Sequence, residues 1–143
     1  MSLELLDAVV GYEIALWNHL DRHLADAGQV SLAVFSALRV VEGHGGSARI
    51  RELQDELRIT VGSASKLADR LERDRLALRR PNPTDRRSSL LELTDLGRDR
   101  FGSAEIEVRA ALNDHVRAAR TSVPDVVAAL RSLDDALTGA VVR

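Results

Sequence analysis

The chain has 143 residues, 45% of them hydrophobic and 3% aromatic, with a formal net charge of −2 and no cysteine. That length suits one domain, or one small domain with helical extensions, and the missing thiols exclude disulfides, thiolate metal sites and cysteine redox sensing. No apolar run approaches the roughly 20 residues of a membrane span and "MSLELLDAVV" has no basic signal region, so a cytoplasmic protein is expected.

With few aromatics and three prolines, Leu, Val and Ala must do the packing, which favours helices. Residues 3–25 read as one long helix, because Leu3, Leu6, Val10, Trp17, Leu20 and Leu24 keep helical spacing. "DAGQVS" ends it, with Gly28 at the C-terminus. Ser31 caps a second helix carrying Val34, Phe35, Leu38 and Val41, which "GHGGS" terminates. A short helix follows over about 49–57, with Ile50, Leu53 and Leu57 inward. Thr60 caps the next, which runs to about Arg75 with Val61, Ala64, Ala68 and Leu71 inward. Two such helices three or four residues apart make a helix-turn-helix.

Leu76 and Leu78 then alternate with Ala77 and Arg79, and Leu91 and Leu93 with Leu90 and Glu92, as in two half-buried strands. The turn-rich Arg80–Ser89 between them makes the pair a hairpin with a long loop, a wing. Thr94 caps a helix over about 95–120 with Phe101, Ala104, Val108, Leu112 and Val116 inward. Pro124 opens the last helix, on which Val126, Leu130, Leu133, Leu137 and Val141 form a stripe. The expected fold is mainly α with a small β-hairpin wing. The terminal helices carry more apolar surface than such a fold can bury alone. A second copy around a two-fold axis would cover it, so a homodimer is expected.

The net charge conceals a local excess. Residues 58–87 carry nine basic side chains against four acidic ones, on an otherwise acidic chain. Phosphate is the natural partner of such a patch, and a solvated charged surface is the plain alternative. On the helix after Thr60, Gly62, Ser63, Lys66, Arg70 and Arg73 lie opposite the apolar face. Ser63 and Ser65 can hydrogen-bond bases or phosphates, and Lys66 can reach a guanine edge. A narrow N-terminal turn followed by cations is what a major-groove recognition helix needs. In the wing, Arg86 and Arg87 sit near the tip. A guanidinium there gains from the negative potential of a narrow minor groove, and Asp85 can hold one arginine by a bidentate pair. Arg79 and Arg80, on the first strand, are placed nearer phosphate. The other reading is a winged-helix protein-interaction module without DNA binding. No phosphate loop, nucleophile elbow or carboxylate pair suggests an enzyme, and no cofactor is expected.

The stretch "ITVGSASKLADRLERDRLALRRPNPTDRRSSLLELTDLG" resembles the DNA-binding lobe of the MarR family of bacterial winged helix-turn-helix transcription regulators. Asp85-Arg86-Arg87-Ser88, followed by Leu91, Leu93, Thr94 and Gly97, is similar to that family's wing signature. The order of helices and wing also resembles the family over nearly the whole chain. The resemblance implies a winged helix-turn-helix lobe at 29–94 and a dimerisation region built from 1–28 and 95–143. It implies that Thr60, Gly62, Ser63, Ser65 and Lys66 face the major groove, that Arg87 enters the minor groove and that Asp85 supports it. It further implies a repressor binding pseudo-palindromic double-stranded DNA and relieved by a small aromatic effector, for which Trp17, His19, His23 and Phe35 are the candidates. Their packing alternative is strong, above all for Trp17. His19 and His23 are four apart, but "HLDRH" lacks the glutamate of a zincin helix, so no metal site is expected. One departure is Arg75, where the family usually has glycine.

Overall fold

A computed structural model of the chain describes residues 2–139. Its elements are α1 (Glu4–Asp26), α2 (Leu32–Gly43), β1 (Ser47–Arg49), α3 (Ile50–Leu57), α4 (Val61–Arg73), β2 (Ala77–Pro81), β3 (Ser89–Leu93), α5 (Asp95–Ala119) and α6 (Val123–Gly139). The fold is mostly helical with a small antiparallel sheet. The chain divides into two compact units, 1–109 and 110–143.

In the first unit, the local signals act as the sequence suggests. Ser31 Oγ accepts from the Val34 N–H at 3.3 Å and Thr60 Oγ1 from the Ser63 N–H at 3.1 Å, so each hydroxyl caps its helix. Gly28 is left-handed at φ +68°. Its N–H donates to the Ala25 carbonyl, and the Gln29 N–H to the Leu24 carbonyl, the paired bonds of a Schellman stop. Gly45 and Gly46 end α2 in the same way.

The core gathers Val34, Leu38 and Val41 of α2, Leu53 of α3, Ala64, Ala68 and Leu71 of α4, and Leu91 and Leu93 of β3. Val61, expected inward, is 62% exposed. The first turn of α4 stands clear of the core, which Ala64, one turn on, is the first residue of α4 to enter.

The sheet has three strands, in the order β1-β3-β2, not the two expected. Three-residue β1 follows Gly45-Gly46 and pairs Ala48 with Leu91. It is too short to show alternation in sequence. The expected phase of β2 is also corrected. Leu76 is buried but belongs to the stop of α4, where its N–H donates to the Leu71 carbonyl at 2.9 Å. Within the strand it is Ala77 that is buried and Leu78 that is 45% exposed. A shift of one residue exchanges the two faces. The strands also run further than expected, from Ala77↔Leu93 out to Pro81↔Ser89, leaving 82–88 as the wing loop.

α5 starts on the Thr94 cap, whose Oγ1 accepts from the Gly97 N–H at 3.0 Å. Phe101 is half-buried and stacks on the Phe35 ring, 5.6 Å away. Further along α5, Ala111 is buried where Leu112 was expected and Leu112 is half-buried. The second unit holds the end of α5 and all of α6, in which no described residue is buried. Val141 lies outside the described residues.

Candidate nucleic-acid interface

α3 and α4 are joined by Arg58, Ile59 and Thr60, a helix-turn-helix spacing. Buried Ala64, Ala68 and Leu71 fix the rotation of α4 about its axis. Gly62, Ser63, Lys66 and Arg70 are therefore exposed and Ser65 is half-buried. Thr60 Oγ1 also donates to Ser63 Oγ at 3.0 Å, so the first turn presents two linked hydroxyls. No side chain stands at Gly62, and nothing lies within 4 Å of where its Cβ would be. Backbone N–H groups, small hydroxyls and then cations form one solvent-facing stripe, the chemistry of a helix end that accepts an anion.

The arginines of the wing divide by what they touch. Arg79 shares a strand face with Leu91 and its guanidinium pairs with Asp69 of α4. Arg80, on the other face, meets Glu92 at 2.6 Å. Both are thus held within the protein, as is Arg70, 3.9 Å from Asp74. Among the described residues, no ion pair involves Lys66, Arg86 or Arg87. These three cations carry charge without a partner to give up, so desolvation at a phosphate costs them least.

Asp85 supports Arg87 differently from expectation. Its Oδ1 accepts from the Arg87 backbone N–H at 2.9 Å, so it shapes the turn and leaves the guanidinium free. Ser88 closes the loop, its N–H donating to the Asp85 carbonyl at 3.2 Å. Arg87 also borders a cleft of about 270 Å³ with Arg49, Ile50, Arg51, Asp85 and Ser89. Arg49 and Arg51 were not singled out from sequence. Their place beside the wing depends on the β1–β3 pairing, for which the sequence carries no signal.

The four ligand candidates are not gathered. Trp17, 43% exposed, borders a cavity of about 610 Å³ with Ala33 and Ser36 of α2, Leu57, and Lys66 and Arg70 of α4. Phe35 is buried against Phe101. His23 Nε2 bonds the Glu107 carboxylate at 2.9 Å, and His19 is exposed on α1. None of those three lines the cavity. Among the described residues, no three acidic or histidine side chains group as metal ligands, and no helix is long and apolar enough to cross a membrane.

A helix-turn-helix flanked by a three-stranded sheet with a protruding hairpin defines a winged helix protein. Residues 29–88 match the model of the MarR family. The chain is 28% identical over 80 residues to the HTH-type transcriptional regulator MhqR of Bacillus subtilis (strain 168), a stretch covering 56% of this chain and 54% of that relative. The chain thus spans about half the length of this curated relative. Solved structures extend the likeness in fold. A mutant MarR from E. coli complexed with operator DNA superposes with a TM-score of 0.75 at 22% identity, covering 94% of this chain and 93% of that one. AbsC of Streptomyces coelicolor, a MarR family transcriptional regulator, gives 0.80 at 19%, over 94% and 93%. CouR of Rhodococcus jostii RHA1, bound to p-coumaroyl-CoA, gives 0.74 at 23%, over 95% and 91%. The winged-helix lobe thus matches the model of the MarR family, and the chain has the fold of the solved MarR family regulators along nearly its whole length.

Proposed function

We propose that the protein is a sequence-specific DNA-binding transcription regulator that acts as a homodimer and not as an enzyme. The observation that carries this reading is the trio Lys66, Arg86 and Arg87. They stand on the two projecting elements of the winged helix without an internal counter-charge, on a chain that is acidic overall. Lys66, with Thr60, Gly62, Ser63 and Ser65, enters a major groove, and Arg87, on a turn set by Asp85, enters the adjoining minor groove. Arg86 and Ser88 lie beside the backbone. Arg70, Arg79 and Arg80 reach phosphate only by exchanging their present carboxylate partners. Residues 29–94 make the DNA-binding lobe, and 1–28 with 95–143 make the dimerisation region. A dimer bound over a promoter excludes polymerase, which makes repression the expected outcome.

A small aromatic acid is the effector that the cavity beside Trp17 suits. Its walls are largely apolar, and Lys66 and Arg70, which line it together with the one carboxylate of Glu13, offer charge to a carboxylate. Both cations also belong to the DNA face, so a bound acid and DNA compete for them.

Binding to the DNA upstream of the protein's own gene tests the reading. Lys66→Ala and Arg87→Ala should each weaken operator binding by roughly tenfold or more. Arg87→Ala should lower the salt slope by about one phosphate or less, since a groove arginine is not purely a phosphate contact. If both variants bind as the wild type does, the assigned face is wrong. A folded dimer that shifts no DNA at low salt would instead favour a protein-interaction module.

A further inference from the structure

We propose that Asn82 is the positioning residue of the wing, holding Arg86 and Arg87 in the conformation that meets DNA; the proposal rests on the DNA-binding reading above. Asn82 is the one buried polar residue among those described, 7% exposed in a loop whose other residues are almost all open to solvent. Its Oδ1 accepts from the Thr84 N–H at 3.1 Å and from Thr84 Oγ1 at 2.9 Å. Its Nδ2 donates to Ser88 Oγ at 3.0 Å. Its backbone N–H donates to the Ser88 carbonyl at 3.4 Å, and its carbonyl accepts from the Asp85 N–H at 3.3 Å. One side chain thus ties the first arm of the loop to the last, and both arginines lie between the tied points.

The consequence is energetic. A hairpin loop of this size, exposed and rich in rotatable side chains, samples many shapes, and docking one shape on DNA would cost that freedom. A buried amide with donor and acceptor both engaged removes the freedom beforehand. Replacing the amide by an apolar group would remove the acceptor of the Thr84 N–H and hydroxyl and the donor to Ser88 Oγ, and so untie the two arms of the loop. Arg86 and Arg87 gain nothing from Asn82 in charge, only in placement. The alternation of strand residues hides this role in the sequence, where "NP" reads as an ordinary turn signal.

Two readouts test the proposal, one of them independent of DNA. Trypsin cuts after Arg86 and Arg87 when the loop opens. Asn82→Ala should be cut there about tenfold faster than the wild type, and Thr84→Val, which removes a single bond, roughly threefold faster. Both should stay folded and melt cooperatively, with the midpoint lowered by only a few degrees, about what the lost bonds are worth. Asn82→Asp, which keeps the two acceptor bonds and can accept from the Ser88 hydroxyl, should be cut at nearly the wild-type rate. On operator DNA, Asn82→Ala should lose protection of the outer minor groove while keeping the central major-groove protection, and Asn82→Asp should keep both. A general loss of stability would not separate the grooves in this way. Cutting of Asn82→Ala and Thr84→Val at the wild-type rate, or an unchanged Asn82→Ala footprint, overturns the proposal. A wild-type chain that leaves no footprint overturns the DNA reading instead, and the trypsin rates alone then decide the role of Asn82.

Discussion

Thr94 Oγ1 donates to the Arg75 carbonyl at 2.6 Å while it accepts from the Gly97 N–H at 3.0 Å. One hydroxyl thereby joins the end of α4 to the start of α5, across the base of the wing. Gly97 is needed for a different reason: a Cβ there would lie 2.0 Å from the Leu76 carbonyl oxygen. Backbone must move to admit it, so Gly97→Ala should destabilise the fold by about 2–3 kcal/mol in a thermal or urea melt. Arg75 offers the opposite case. It sits at φ +60°, the left-handed position of a Schellman stop, with its N–H on the Glu72 carbonyl. Arg75→Gly should therefore raise stability by about 0.5–1 kcal/mol, the strain relieved less the entropy that glycine adds to the unfolded chain. A melting temperature that falls in this variant would mean that the arginine side chain holds the turn. The glycine missing at Arg75 and the threonine before α5 were both legible in the sequence. The bond between them was not, because it joins residues brought together only by the sheet.

The helices illustrate what elements reveal and conceal. Caps at Ser31 and Thr60 and the glycine stops are local, so the sequence announces them. Val61 and Leu78 were misjudged because a helical or strand period gives a face but not where the core begins and ends. β1 was missed because three residues carry no period at all. At the junction of α2 and α3, His44 sits beside Glu56 and 3.9 Å from Glu52. The hydrogen bond to Glu56 raises the His44 pKa most, slight burial opposes it, Glu52 and the charge of Glu56 add to the rise, and Arg49 works against it. A histidine more basic when folded than unfolded stabilises the fold in its charged form. That contribution is complete below the ordinary value of 6.5 and is lost as the pH rises through the raised value. The melting temperature of the wild type should exceed that of His44→Gln in mild acid, and the two should converge in mild alkali. A constant difference across that range would contradict the ion-pair account.

For the whole molecule, the unsettled apolar surface is the main fact. Leu3, just before α1, and Leu5, Leu6, Val9 and Val10 on it are each at least 42% exposed, and Leu130, Leu133 and Leu137 on α6 at least 45%. Surface of this kind is expected to be covered by another copy. Sedimentation should give twice the 15.6 kDa chain mass, and Leu133→Glu should shift the population toward monomer or unfolded chain at about micromolar concentration. A wild type that sediments as a monomer, with its fold intact, would contradict the dimer. The excess of apolar stripes was plain in the sequence. Which residues of the partner meet them was not, since self-association leaves no spacing signal of its own.

The central claim, that two winged lobes read one DNA site through Lys66 and Arg87, is tested most directly by footprinting the wild type and Arg87→Ala on the DNA upstream of the gene, with dimethyl sulfate reporting guanine N7 in the major groove and hydroxyl radical reporting the sugars of the minor groove. The account predicts two major-groove protections about one helical turn apart, ~10 bp, each flanked by a minor-groove protection. The flanking protections alone should disappear in Arg87→Ala. A single protected patch, or a footprint that Arg87→Ala leaves unchanged, would contradict it.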